Sequence, residues 1–372
     1  MRYVVLSLVR NLRKHLSGVL AVALTFLLIE GQIGVTTGLV SLMSWPIDHS
    51  EADIWIAAPG TTSCDTGGKI RRGWENQARE LQGVAATDSL ISAYYNWRAS
   101  DDSIRLIMVL GCSLSQDALG PANHLAPGQQ TLLTQPDTVI VNQSDQAALK
   151  IRGIGDRGTI GNLEVRVVDF TTEMPGVTGP YVICSQRTAR RIFRGFRERD
   201  TTFVLVKCRS ENEIKPTLSE LEKNEGISCF QSSAFSLRTR LYCLSTTKAG
   251  IALTFIACLG TIAGGLVLTD SLYTVTMSEA KQFAVLRALG VSLMQLRSFV
   301  LKQSFLVWIA GTAIGIILVS VAGIISNAMG VAFTRSVWSL VLSIIATSVM
   351  SAVAGLLALR SLSSSDPNQL LR

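Results

Sequence analysis

From Gln303 to Thr334 this chain carries no charged residue, and the same is true from Ala249 to Thr269 and from Ser336 to Leu359. A hydrocarbon core about 30 Å thick needs about 20 residues of helix, so each run is long enough to cross a membrane. A fourth run, Leu16–Ile29, meets a single acid at Glu30 and then continues uncharged to Ile47. Lipid offers the backbone no hydrogen-bond partners, so runs this long and apolar cross as helices, each satisfying its own backbone. Composition agrees. The chain is 48% hydrophobic and 16% charged, against about 25% charge in a typical soluble protein.

The spacing predicts four membrane spans at 16–43, 246–275, 303–328 and 336–360, joined by an external loop at 329–335. The first run ends in SLMSWP without a small-residue cleavage site, so it reads as an uncleaved span rather than a signal peptide. Glu30 falls about 14 residues past its first turn, roughly 21 Å along the helix. A carboxylate at that depth is a functional candidate by default. The plainer alternative is that it faces a protein-lined groove and bonds a neighbouring helix. Gly260-x-x-x-Gly264 and Gly311-x-x-x-Gly315 have the small-residue spacing that lets membrane helices approach closely.

Residues 44–245 differ in character: charges are dense, Pro and Gly punctuate, and no run is long enough to span. Short β-type runs occur at 52–57, 93–98, 104–110, 138–141, 163–170, 181–184 and 203–207. Helical periodicity is seen near 70–81, 144–149, 186–197 and 213–224. The fold class is therefore a membrane α-helical protein of four spans, with a large mixed α+β domain inserted between the first and second. Six arginines crowd into Gln186–Arg199, with Arg187, Arg190, Arg194 and Arg197 at helical spacing. That pattern suits either an acidic or lipid partner or a merely solvated face. Of 7 cysteines, Cys64, Cys112, Cys184, Cys208 and Cys229 lie in this domain, so either disulfides or buried thiols are open. No Cys or His spacing matches a metal site. Gly60–Ile70 superficially resembles a phosphate loop, but Ser63 stands where the motif needs Gly and Ile70 follows Lys69. No cofactor is expected to bind the chain directly.

Basic residues flank the N-terminal segment 1–15, the connection 276–302 and the tail 361–372, which places these three on the cytoplasmic side and the large domain outside. Nucleic acid is therefore not an expected partner; membrane lipid is. Within the connection, Phe283, Leu286, Leu289, Leu293, Leu296 and Val300 repeat at helical spacing, and Gly290 marks a turn between two helices. On its own terms this is an interfacial amphipathic segment.

The stretch Val285-Leu286-Arg287-Ala288-Leu289-Gly290, the Gly-rich helix after Gln303 and the ending Asp366-Pro367 to Leu371-Arg372 resemble the MacB/FtsX-like ABC transporter permeases. Without a fused nucleotide-binding domain, the chain is similar to the separately encoded, DevC-like branch. The resemblance implies a second permease chain, identical or a sister, and a cytoplasmic ABC ATPase subunit that binds ATP and Mg. It assigns ATPase coupling to Glu279, Phe283, Leu286, Arg287, Leu289, Gly290 and Leu293. Gln282 and Gln303 stand where the family usually keeps acids, and Glu279 is a substitute for the first. Hydrolysis is expected in the ATPase, not here. The implied role is to carry its movement across the inner membrane to the periplasmic domain, powering export with a periplasmic adaptor and an outer-membrane channel. The alternatives are an FtsX-like mechanotransmitter that regulates a periplasmic hydrolase, or a membrane sensor.

Overall fold

The computed structural model describes residues 12–115, 117–172, 174, 176, 179–278, 285 and 289–364. In chain order its helices are α1 (Leu12–Met43), α2 (Trp45–Asp48), α3 (Gly73–Arg79), α4 (Pro127–Leu132), α5 (Gln186–Ile192), α6 (Glu211–Leu221), α7 (Ser232–Thr246), α8 (Lys248–Ser278), α9 (Leu293–Ala328) and α10 (Val337–Ser364). The strands are β1 (Ile54–Ala57), β2 (Ile70–Arg71), β3 (Val84–Arg98), β4 (Ile104–Cys112), β5 (Thr138–Asn142), β6 (Arg157–Ile160), β7 (Leu163–Thr171), β8 (Tyr181–Ser185), β9 (Asp200–Thr201), β10 (Phe203–Cys208) and β11 (Ser228–Gln231). The chain divides into two compact units: residues up to Leu39 with Ile251 onward, and Val40–Gly250.

The first unit is helical. Stretches of α1, α8, α9 and α10 are each long and apolar enough to cross a membrane: His15–Met43, Lys248–Val275, Ser298–Ala328 and Val337–Leu357. The third helix corrects the expectation drawn from charge. It starts at Leu293 rather than 303, because Ser292 caps it: the Ser292 hydroxyl accepts from Gln295 N at 3.3 Å and Ser292 N donates to Gln295 Oε1 at 3.2 Å. This reciprocal pair is a capping box. Residues 293–302 are therefore the first turns of α9 and not part of a separate connecting element.

The second unit is a nine-stranded sheet in the order β11-β1-β10-β3-β4-β8-β5-β7-β6. Strand β3 joins its two sections. Its first half, Val84–Leu90, pairs with β10, and its second half, Ile91–Arg98, pairs with β4. The far edge then returns: Ile160 and Thr159 of β6 pair with Trp97 and Arg98 of β3, so β3, β4, β8, β5, β7 and β6 close into a ring. Alternation fills it. Ile107, Val109, Val139, Val141, Val165, Val167 and Val182 point inward around buried Trp97, whose Nε1 donates to Leu149 O at 3.1 Å. Gly158 lies directly against the Trp97 ring, where any side chain would collide with it.

In the other section, odd and even residues serve different cores, as a pleated strand requires. Ile54, Ile56, Val204 and Val206 face α3 and α6. Trp55, Phe203 and Leu205 face Phe235 of α7, with Trp55–Phe203 and Trp55–Phe235 ring centroids 5.2 and 5.7 Å apart.

Three helical expectations need correction. The 186–197 periodicity yields only α5, because Phe193 leaves helical geometry and packs on Tyr95, 5.5 Å between centroids, with Phe196 behind it. Aromatic burial overrides the arginine spacing. Near 70–81 the helix is present as α3 but shorter, because Ile70 and Arg71 pair with Thr201 and Asp200, and near 144–149 only the short turn Gln143–Asp145 is helical. All seven cysteines are free thiols; six are buried and Cys258 is exposed. Burial pushes Cys112 and Cys229 up to about 12, which suits inert core residues.

The turn Cys64–Thr66 is tied to α7 through Cys64 N, which donates to Thr239 Oγ1 at 3.1 Å. Burial pushes the neighbouring Asp65 carboxyl up to about 6, against a hydrogen bond from Tyr94 that pulls it down. A carboxyl raised on folding favours the protonated native state, so this residue costs stability as pH rises from about 4 to about 6. Asp65→Asn should raise the thermal transition of the domain at pH 8, by up to about 2 kcal/mol in stability, and leave it unchanged at pH 4. Equal effects at both pH values would refute the assignment.

Candidate functional site

Glu30 is fully buried in the helical unit. Its two oxygens are held by one helix: Ser339 donates to Oε1 at 2.8 Å and Ser343 to Oε2 at 2.5 Å. These serines are four apart on α10, so one helical face presents both. The series continues down the same face with Thr347 and Ser351, both buried, and Thr347 Oγ1 accepts from Trp308 Nε1 of α9 at 3.2 Å. A hydroxyl in a helix can return its proton to a carbonyl one turn back, as Thr347 does to Ser343 O at 2.8 Å. Thr347 therefore sits in an apolar run with its proton satisfied, whereas the buried Ser351 hydroxyl has no hydrogen-bond partner. The sequence flagged Glu30 but not its partners. The signal was present as hydroxyls at i, i+4 within an otherwise apolar run.

The glycines behave unequally. A Cβ at Gly311 would lie 2.5 Å from Val22, and one at Gly315 would lie 2.9 Å from Phe26, so the second Gly-x-x-x-Gly admits a ridge of α1. On α8, Gly264 meets α1, with Thr25 Oγ1 donating to Gly264 O at 3.0 Å. Gly260, one turn away, has nothing within 4 Å. A further close approach was not anticipated. Gly34 and Gly38 of α1 receive the 330–335 connection: Phe333 wedges between Gly34 and Gly323, and Thr334 N donates to Gly34 O at 3.2 Å. Helix α1 is thus held at three levels by α9, α10 and their connection.

Of the expected coupling residues, Glu279, Phe283, Leu286 and Arg287 lie outside the described residues, as does Gln282. Leu289 is 76% exposed, and its N–H closes a helical turn on Val285 O at 3.0 Å. Gly290 follows with φ +89°, a left-handed geometry that a residue with a side chain adopts only at a cost. Leu293 opens α9. Met294, not singled out from sequence, is 82% exposed, and Val285 is half exposed. Three apolar side chains therefore stand open, Val285 and Leu289 before the turn at Gly290 and Met294 in the first turn of α9, a pattern that marks contact surfaces.

Residues 254–367 match the FtsX-like permease C-terminal family, and residues 18–224, more than half of the chain, match the MacB-like periplasmic core domain. Among solved structures, the periplasmic region of MacB from Actinobacillus actinomycetemcomitans is 11% identical with a TM-score of 0.33, covering 54% of this chain and 97% of that one. The extracellular domain of the noncanonic ABC-type transporter YknZ from Gram-positive bacteria is 13% identical with a TM-score of 0.34, covering 48% and 99%. No curated protein sequence matches the chain.

The Glu30 contact can be weighed by a double-mutant cycle. Ser343→Ala and Glu30→Leu should each lower stability in detergent. The double variant should lose less than the sum, by about 1 kcal/mol. Strict additivity would mean that the contact does not hold α1 to α10.

Proposed function

The chain belongs to the MacB/FtsX-like ABC transporter permeases, and on that premise we propose that it is the permease subunit through which a separate ABC ATPase drives a periplasmic domain. Permeases of this family pair with ABC ATPases and dimerise. In this reading the ATPase is a different chain that holds the ATP and Mg, and both termini and the 276–302 connection face the cytoplasm at the inner membrane.

The observation that carries the reading is the exposed apolar group Val285, Leu289 and Met294, set where the connection between two spans enters α9. Buried against a partner, side chains of this size each contribute about 1.5–3 kcal/mol. The start of α9 at Leu293 gives the handle a rigid lever, because a push on the connection moves the helix itself. From α9 the movement passes to α1 through Gly311 and Gly315 on Val22 and Phe26, and to α10 and Glu30 through Trp308 and Thr347. In sequence, α1 leads directly into the periplasmic domain. Work done there would serve a periplasmic adaptor and an outer-membrane channel. No step requires a substrate path through the spans.

The test is to introduce charge into the handle. Leu289→Glu with Met294→Glu should reduce ATPase co-purification, and stimulation of its hydrolysis by the permease, by about tenfold. Arg287→Glu should act in the same direction. If the ATPase still co-purifies and is still stimulated at the wild-type level, the coupling surface lies elsewhere.

A further inference from the structure

Two stretches of the periplasmic domain, Lys69–Arg79 and Gln186–Asp200, hold nearly all of the chain's charge imbalance. Lys69, Arg71, Arg72 and Arg79 and the six arginines of the second stretch oppose only Glu75, Glu198 and Asp200. That excess of seven equals the +7 of the whole chain, so the rest is balanced. Far apart in sequence, the two stretches are joined in the fold. Ile70 and Arg71 pair with Thr201 and Asp200. Arg72 N donates to Arg199 O at 2.7 Å. Lys69 donates to Gly195 O and lies over the Phe196 ring, 4.8 Å from its centroid.

Internal pairing does not exhaust this charge. Arg191 is spent on Asp137, outside the two stretches. Buried Glu75 is shared by Arg72 at 3.0 Å and Arg79 at 3.3 Å, one carboxylate between two guanidiniums. Arg190 is half buried, and its Nε is buried without a partner. Its guanidinium meets Gln186 Oε1 only at 3.5 Å. Burial and the nearby Arg72 both disfavour its charged form, and Glu198 and Glu75 offset this in part. A half-buried cation with an idle donor beside a like charge gains when an anion arrives, because a charge-assisted hydrogen bond replaces an unmet one.

We propose that the surface formed by α3, α5 and the β2–β9 pair is a docking site for an acidic segment of a partner protein. Within the domain, α3 and α5 cover the sheet face that carries Ile54, Val204 and Ile91. The elements that lead in sequence to the spans, α2 and α7, lie on the opposite face with Trp55 and Leu205. The donors of the surface are spread over α3, α5 and the β2–β9 pair, so an extended acidic segment meets several of them at once where a single lipid headgroup meets one or two. Focused positive potential speeds and orients such encounters. The site goes beyond the coupling reading and does not depend on it.

The experiment uses the full chain in mild detergent and a labelled oligoglutamate peptide as the probe. Wild type should bind it, more weakly as salt rises. Arg72→Gln with Arg190→Gln should weaken binding about tenfold. Arg187→Gln with Arg197→Gln, at exposed positions, should do the same at an unchanged melting temperature, which keeps the result readable if the first pair perturbs folding. Failure of wild type to bind, or wild-type affinity in the second pair, overturns the proposal. So does arginine-dependent binding to phosphatidylglycerol vesicles without binding of oligoglutamate, which would assign the surface to lipid.

Discussion

A carboxylate inside a membrane span must bring its own hydrogen-bond donors, because the lipid supplies none. The helical unit is arranged around that requirement. Glu30 takes both donors from α10. To keep them in reach, α1 must stay seated against α10 along much of its length. Close packing on α9 does this below Glu30, where two glycines admit Val22 and Phe26. The Phe333 wedge on Gly34 does it above. Polar contact sets the rotation and register of α1, and the small residues on either side set its distance. Helix α8 is bound differently: it touches α1 at Thr25 and through the Leu268–Val275 side of its later turns, while Ile251, Phe255, Ile256 and Leu259 of its earlier turns stand open.

The domain solves a different problem, which is how to pack two sets of helices on opposite faces of one sheet. Pleating assigns alternate residues of β1 and β10 to opposite cores. Helices joined to the spans occupy one face, and the helices bearing the arginines occupy the other. Strand β3 is long enough to serve both sections, pairing with β10 over one half and β4 over the other. The two sections are therefore joined by a single hydrogen-bonded strand with no intervening loop. Closure of the second section around Trp97 removes the free edge that an open sheet of this length would expose.

What the sequence disclosed follows the strength of each local signal. The four spans were legible because absence of charge over a membrane thickness has few other causes. Most strands of the domain were legible from β-branched runs such as Thr138–Val141 and Phe203–Lys207. Helix α7 was not, because Ser232–Thr246 is mostly polar and buries only a few side chains, Phe235 and Cys243 among them. The end of α5 was hidden because arginines at helical spacing continue past Phe193, and only tertiary packing shows that its ring belongs to the ring-shaped core. Glu30 was conspicuous, but Ser339 and Ser343 read as ordinary members of an apolar run. The early start of α9 could have been read from Ser292 and Gln295, whose spacing is that of a capping box.

The neutral residue at Gln303 bears on how force enters the bundle. Where the family pattern usually places an acid, this chain has an amide, and the position is buried on α9. Burying an amide in a span costs less than burying an ionised carboxylate, so α9 can pack here without a counter-charge. The acids described within the spans are Glu30, satisfied by hydroxyls, and Asp270, at an exposed position of α8. The first turns of α9 carry Arg297 and Lys302, so the exposed Val285, Leu289 and Met294 offer a partner apolar purchase on a basic stretch of chain. The apolar part of such a contact is insensitive to ionic strength. The arginine surface of the domain has the opposite character: contact with it weakens as salt rises.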